Sequence, residues 1–93
     1  MDYKGIAEQI LRDVGGPENI ASYAHCATRL RLVLVDETKA DKKAVEKIEA
    51  VAGSFTAGGQ YQIILGPGTV NKVHDELAAL THIKEASMEE VKK

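Results

Sequence analysis

The chain is poor in the residues that several functional classes require. Its 93 residues include one cysteine, Cys26, two prolines, one phenylalanine and no tryptophan. A lone cysteine cannot form an intramolecular disulfide, so we expect the chain to reside in a reducing compartment such as the cytosol. Its apolar stretches are far shorter than the ~20 residues that a membrane-spanning helix requires. These absences argue against a disulfide-stabilised secreted scaffold and predict one small domain that is itself soluble.

Charge is nearly balanced over the whole chain but unevenly placed along it. There are 12 basic and 14 acidic residues, a net charge of −2, which argues against nucleic acid as a partner. No Asp or Glu occurs from Asn19 to Val35, yet this segment holds Cys26, Arg29 and Arg31, two of the three arginines in the chain. A mildly acidic protein therefore has a cationic island around its only thiol.

Hydrophobic periodicity predicts the element order α-β-β-α-β-β-α. The predicted helices are Tyr3–Val14, Asp41–Val51 and a segment that begins at Thr69; the predicted strands are Asn19–Ala24, Arg29–Val35, Gly53–Ala57 and Gln60–Leu65. Short links between consecutive strands form hairpins, so we expect an α+β domain over residues 1–83, with a four-stranded antiparallel sheet and three helices on one face. The polar residues 84–93 are predicted to be a linker to a further domain.

The segment Arg29–Val35 carries the clearest strand pattern in the sequence. Its three leucines fall on one face, whereas Arg29 and Arg31 share the other face with Val33 and Val35. The two guanidiniums are therefore predicted to project side by side from the face without helices. That face would be left open or reserved for a partner.

Cys26 lies at the predicted turn before Arg29 and Arg31. Cationic neighbours lower the pKa of a thiol, and the planar fork of arginine matches the oxygens of a phosphoryl group better than lysine does. A thiol that carries a phosphoryl group in transit would use this arrangement. The alternative is structural: a small buried cysteine beside two solvated arginines.

Other chemistries of the thiol are weakly supported. The chain has no Cys-x-x-Cys pair and no resolving cysteine for redox work. Zinc binding is supported still less, since His25 and Cys26 are adjacent in sequence and the other two histidines, His74 and His82, lie on or just past the third helix. We expect His74 and His82 to be surface residues. A phosphatase-like loop would place an arginine six residues after the cysteine, where this chain has Leu32.

Two glycine-rich segments form a second set of candidates, Gly58-Gly59-Gln60 and Gly66-Pro67-Gly68-Thr69. Glycine turns and helix N-termini can both present backbone N–H groups to an oxyanion. The same residues are also common as plain turn formers, and both interpretations are open.

The run His-Cys-Ala-Thr-Arg-Leu-Arg-Leu from His25 to Leu32 resembles the phosphorylation motif of enzyme IIB domains in the bacterial phosphoenolpyruvate-dependent sugar phosphotransferase system, glucose superfamily. Three further segments are similar to the sucrose, trehalose and β-glucoside branch: Met1–Lys4, Gly15-Gly16 with Asn19-Ile20, and Gly59–Gly66. The resemblance covers most of the chain, from Tyr3 to Leu80.

The resemblance implies that the chain is the IIB component of a phosphohistidine–sugar phosphotransferase. Cys26 would accept a phosphoryl group from a phosphohistidine on a IIA protein or domain. It would then pass the group to a sugar held in a membrane-embedded IIC domain. Thr28, Arg29 and Arg31 would stabilise the phosphocysteine and the group in transfer. The rival interpretation is a non-catalytic protein-binding module with an incidental cysteine.

The resemblance also carries expectations about the surroundings of Cys26. It is taken to place the two hairpin turns at the same edge of the sheet, which would make Gly59 and Gln60 additional phosphate contacts. No metal or other cofactor is expected, since arginines and turn amides can neutralise phosphoryl oxygens. The domain is expected at the cytoplasmic face of the cell membrane within a multidomain transporter. The sugar, and whether the IIA partner is fused or separate, stay open.

Overall fold

The computed structural model describes residues 2–81 and contains the predicted helices and strands in the predicted order. The helices are α1 (Tyr3–Asp13), α2 (Lys42–Glu46) and α3 (Thr69–Thr81), and the strands are β1 (Ile20–His25), β2 (Arg29–Leu34), β3 (Gly53–Ala57) and β4 (Gln60–Ile64). All strand pairs are antiparallel. The α+β class is therefore confirmed, while the predicted linker over residues 84–93 lies outside the described residues.

The hydrophobic core lies between the helices and one face of the sheet. Strand β2 contributes Leu30 and Leu32, both fully buried, and β1 and β4 contribute Tyr23 and Tyr61 beside them. Helices α1 and α3 cover this layer with residues at helical spacing: Ile6, Ala7, Ile10, Val70, Val73 and Leu77. Among residues 2–81, no helix is long and apolar enough to cross a lipid bilayer.

Helix α2 is shorter than the predicted span Asp41–Val51. Asp41 caps its N-terminus as expected, by accepting a hydrogen bond from the backbone N–H of Ala44. The helix ends at Glu46 because the chain must turn towards β3, and Ala50 takes a positive φ of 78° in that turn, which an α-helix does not allow. The apolar residues after Glu46 still reach the core, since Ile48 is buried there.

The strand order β1-β2-β4-β3 places the two hairpin turns at opposite ends of the sheet. Strands β2 and β4 each follow a turn and pair antiparallel, so their first residues lie at opposite ends of the pair. Arg29 at the start of β2 faces Ile64 at the end of β4. The expectation that both turns share one edge is therefore wrong. The length of β2, about 16 Å at ~3.3 Å per residue, separates the Gly58-Gly59 turn from the Cys26 turn.

A buried asparagine fixes the end of the β1–β2 hairpin opposite Cys26. The side-chain amide of Asn19 donates to the carbonyls of Val14 and Asp36 at 2.7 and 2.9 Å, and its oxygen accepts from the Asp36 N–H at 2.9 Å. These bonds join the chain before β1 to the chain after β2. The asparagine thereby holds the base of the hairpin whose tip carries the thiol.

Candidate functional site

Cys26 lies in the three-residue turn between β1 and β2. Its backbone N–H donates to the carbonyl of Arg29 at 3.0 Å, which closes the turn. The carbonyl of Thr28 accepts from the N–H of Leu65 at 2.8 Å, which ties the turn to the end of β4. The cysteine is a free thiol and is only partly buried. The turn is therefore held at both sides, and Cys26 keeps part of its surface exposed.

One guanidinium donates to the sulfur of Cys26, through Nη2 of Arg31 at 3.8 Å. The backbone N–H groups of Thr28 and Arg29 also act on the thiol and lower its pKa. Partial burial is the largest single influence on the thiol and raises its pKa, but the three donors and the charge of Arg31 together outweigh it. The pKa of Cys26 is thus below its ordinary value, which favours the nucleophilic thiolate.

Arg29 shares the open face of the sheet with Arg31, as the strand pattern predicted, but has different partners. Its Nη1 donates to Oε1 of Gln62 at 3.2 Å, and its guanidinium carbon lies 5.2 Å from the centroid of the Phe55 ring. Phe55 itself is 38% exposed on the edge strand β3. Of the two arginines, Arg31 contacts the sulfur with its side chain, while the side chain of Arg29 is held against β4 and β3.

Two glutamines of β4 connect the arginines. Oε1 of Gln60 accepts from Nη1 of Arg31 at 3.4 Å and from Nε2 of Gln62 at 3.4 Å, while Gln62 in turn accepts from Arg29. Each glutamine is only 6% exposed, although both lie on the face of the sheet opposite the one that α1 and α3 cover. Within residues 2–81, neither arginine forms an ion pair with a carboxylate. The guanidiniums are therefore held by neutral acceptors and keep their full charge.

The structure changes the list of site residues in two ways. Gly59 lies in the turn at the far end of the sheet, so the reason for including it is removed; Gln60 reaches the site through Arg31 instead. Gln62 was missed. The signal was available in the two-residue spacing of Gln60 and Gln62, which puts both side chains on one face of β4. To assign Gln62 to the site, one must also know that it pairs with Arg31 across β2 and β4, and the sequence alone does not show this pairing.

The second glycine-rich segment lies at the Cys26 end of the sheet. Leu65, bonded to Thr28, leads directly into Gly66–Thr69, and α3 begins there. Gly68 has a φ of 79°, a conformation that glycine adopts without strain. The positive end of the α3 dipole is thus on the same side of the molecule as the thiol.

His74 is buried rather than exposed, contrary to expectation. It is 8% exposed, and its ring centroid lies 4.0 Å from that of His25 and 5.4 Å from that of Tyr23. His25 pairs with the fully buried Leu30 of β2, so its side chain lies on the helix-covered face of the sheet. The histidines therefore pack α3 against β1 behind the site, while His82 lies outside the described residues.

The site has more donors than acceptors. Besides the groups that bond the sulfur, Nε of Arg31 is buried without an acceptor in the described part of the chain. Buried donors are normally paired, and exceptions concentrate at functional sites. A partly buried thiol with a lowered pKa, beside guanidiniums that have no carboxylate partner within residues 2–81, is suited to hold an anionic group on sulfur.

The chain matches known proteins along almost its full length. A family model described as "phosphotransferase system, EIIB" matches residues 8–41. The chain is 52% identical over 92 residues to the sucrose-specific EIIBC component of the phosphotransferase system of Staphylococcus xylosus, covering 99% of this chain and 19% of that protein. It is also 52% identical over 87 residues to the trehalose-specific EIIBC component of Bacillus subtilis, covering 94% of this chain and 18% of that protein. The chain thus spans about a fifth of the length of these curated relatives.

A solved structure supports the same grouping. The crystal structure of one domain of the phosphotransferase system IIabc component from Clostridium difficile superposes with a TM-score of 0.85 at 45% sequence identity. The match covers 91% of this chain and 87% of that one. Fold and sequence therefore agree over nearly all of both chains.

Proposed function

The chain belongs to the EIIB family of the phosphotransferase system, and from this membership we propose that it is the phosphoryl-carrier domain of a sugar transporter, with Cys26 as the carrier. The observation that supports the proposal most is the setting of the sulfur, which accepts a hydrogen bond from the Arg31 guanidinium at 3.8 Å and whose pKa is also lowered by the backbone N–H groups of Thr28 and Arg29. These donors favour the thiolate before transfer and would face the phosphoryl oxygens after it.

In the first transfer, the thiolate of Cys26 attacks the phosphorus of a phosphohistidine on a IIA protein or domain. The S–P bond forms while the N–P bond breaks, and the electron pair of the broken bond stays on the imidazole nitrogen. Arg31 and the amides of Thr28 and Arg29 are in place to neutralise charge on the group as it moves. Arg31 and these backbone amides can meet the electrostatic need together, and the proposal therefore includes no metal.

In the second transfer, a sugar hydroxyl attacks the phosphorus of the phosphocysteine. The O–P bond forms, the S–P bond breaks, and the electron pair returns to the sulfur. The hydroxyl proton leaves to a base in the sugar-binding partner. A low thiol pKa assists this step as well, because a stabilised thiolate is a better leaving group.

The partners of the domain follow from its relatives. The curated relatives are EIIBC components, so we propose that residues 1–83 form the B unit and that residues 84–93, outside the described part, connect it to a membrane-embedded IIC portion. The domain would then lie at the cytoplasmic face of the membrane. Sucrose or trehalose is the proposed sugar class, with selection made by the IIC portion and not by Cys26.

The proposal is tested by intact-mass measurement. The chain is incubated with phosphoenolpyruvate and purified relay proteins, including a IIA protein of the sucrose or trehalose branch. We expect the mass to rise by one phosphoryl group that is lost on addition of the sugar and a IIC partner. A protein-binding module with an incidental cysteine would bind partners without any gain in mass, and that result would overturn the proposal.

A further inference from the structure

The open face of the sheet holds its two arginines with amides in place of carboxylates. We infer that Gln60 is a positioning residue for phosphoryl transfer: its side-chain oxygen aims the Arg31 guanidinium at Cys26 without neutralising it. The inference rests on the proposed function for its biological role. Its physical content, the orientation of Arg31 relative to the thiol, can be measured independently of any transfer.

The geometry of Arg31 carries the first part of the inference. Nη1 of Arg31 donates to Gln60 at 3.4 Å and Nη2 donates to Cys26 at 3.8 Å. The guanidinium is planar and rigid, so an acceptor that fixes one terminal nitrogen also fixes the direction of the other. Gln60 is 6% exposed, which holds its own side chain in place. Gln60 therefore acts on the thiol through Arg31 and does not touch the sulfur itself.

The orientation of the Gln60 amide is itself determined. Its oxygen accepts from Nε2 of Gln62 as well as from Arg31, and Gln62 accepts from Arg29 through its own oxygen. Because Arg31 and Gln62 both donate, the oxygen of the Gln60 amide, and not its NH2 group, must point towards these two side chains. The chain of bonds thus runs from Arg29 through two glutamines to Arg31 and the thiol.

The choice of amide over carboxylate carries the second part. A carboxylate at the position of Gln60 or Gln62 would also accept a hydrogen bond from a guanidinium, and it would bind the guanidinium more strongly because it is charged. It would, however, neutralise the arginine and place a negative charge near the thiolate, which raises the thiol pKa and repels a phosphoryl group. An amide fixes the arginine and leaves its charge for the transferred group.

Two variants separate position from charge. Gln60→Met removes the acceptor at similar length and adds no charge; Gln60→Glu keeps an acceptor and adds a negative charge. Gln9→Glu, on the exposed side of α1, makes the same chemical change away from the site and is the matched control. The pKa of Cys26 is measured from the pH dependence of its alkylation rate, and the rate of phosphoryl uptake from a phosphorylated IIA protein is followed by mass.

We expect Gln60→Glu to raise the pKa of Cys26 by about one unit. Gln60→Met should raise it by less and slow phosphoryl uptake ~10-fold, since a misdirected donor loses transition-state stabilisation. Gln9→Glu should match the wild type in both measurements. A role confined to packing would change the unfolding midpoint and leave the alkylation profile unmoved.

A wild-type pKa and uptake rate in Gln60→Met would overturn the inference. If Gln60→Glu does not fold, as judged by circular dichroism, the methionine variant carries the test alone because it buries no charge. Failure of the proposed function gives a different result: the wild-type chain takes up no phosphoryl group, while the alkylation profiles still report whether Gln60 directs Arg31.

Discussion

The helix-covered face and the open face of the sheet are built from alternate residues of the same strands, yet they are stabilised differently. On the covered face, Leu30 and Leu32 are fully buried against helices. On the open face, Arg29 and Arg31 lie against glutamines, and Arg31 reaches the sulfur of Cys26. The first face provides the hydrophobic free energy of folding, and the second holds two guanidiniums that have no carboxylate partner within residues 2–81. Stability and chemistry should therefore be separable by mutations one residue apart.

The largest expected effect on chemistry comes from Cys26→Ser. A serine hydroxyl has a far higher pKa than a thiol and is a much weaker nucleophile, so phosphoryl uptake should fall by ~10³-fold or more. The partly exposed position should cost less than about 1 kcal/mol of unfolding free energy. Mass-detected uptake and urea unfolding measure the two quantities. Normal labelling of this variant would show that the group is carried elsewhere.

The reverse pattern is expected on the covered face. Leu32→Ala removes a fully buried side chain and should cost about 2–5 kcal/mol of unfolding free energy. Val33→Ala, on the open face of the same strand and only partly buried, is the matched control and should cost about 1 kcal/mol or less. Urea unfolding measures both. Phosphoryl uptake per folded molecule should stay at the wild-type rate, and a loss there would contradict the separation of the two faces.

Much of this division could be predicted from the sequence because strand alternation is local. The run Arg29–Leu34 assigns its side chains to two faces whatever the strand pairs with. The early end of α2 could not be predicted from the sequence. Ala50 has a positive φ because the chain turns there to enter β3, and that turn is set by the tertiary fold. Apolar spacing beyond Glu46 resembled helix although its residues reach the core from a turn.

The residues that accept hydrogen bonds from the two arginines, Gln60 and Gln62, could not be identified in the same way. Their place at the site depends on the pairing of β2 with β4, which are not consecutive strands. Consecutive strands could be assigned to hairpins, but the contact of β2 with β4 sets which residues oppose Arg29 and Arg31. Without the pairing of β2 with β4, the resemblance places Gly59 beside the thiol, and no sequence signal assigns Gln62 to the site. The thiol and its arginines are sequence neighbours and were found together; the glutamines are about thirty residues away along the chain.

A comparison of the two arginines sharpens the description of the open face. Arg31→Lys keeps a charge but lacks the planar fork whose two terminal nitrogens reach Gln60 and Cys26, so uptake should slow by ~10–100-fold and the pKa of Cys26 should rise. Arg29→Lys should leave the pKa of Cys26 close to that of the wild type, because its side chain contacts Gln62 and Phe55 and not the sulfur. Alkylation rates as a function of pH distinguish the two variants. Equal shifts in both would contradict the assignment of the sulfur contact to Arg31 alone.

The smallest predicted effect is a pH dependence of stability that originates at the open face. Donors at the sulfur lower the folded-state pKa of Cys26 even though partial burial opposes them, while the unfolded chain keeps an ordinary thiol pKa of ~8.5. Between the two values the unfolded state binds more protons, so the stability of the wild type should rise with pH through this window. The contribution is complete above the unfolded value and is lost as pH falls through the folded one. In Cys26→Ser the side chain at position 26 does not titrate in this pH window, and all other groups are common to both proteins. The difference in unfolding free energy between wild type and variant therefore isolates the contribution of the thiol. A difference that stays flat from neutral pH to pH ~9 would mean that the donors do not favour the thiolate.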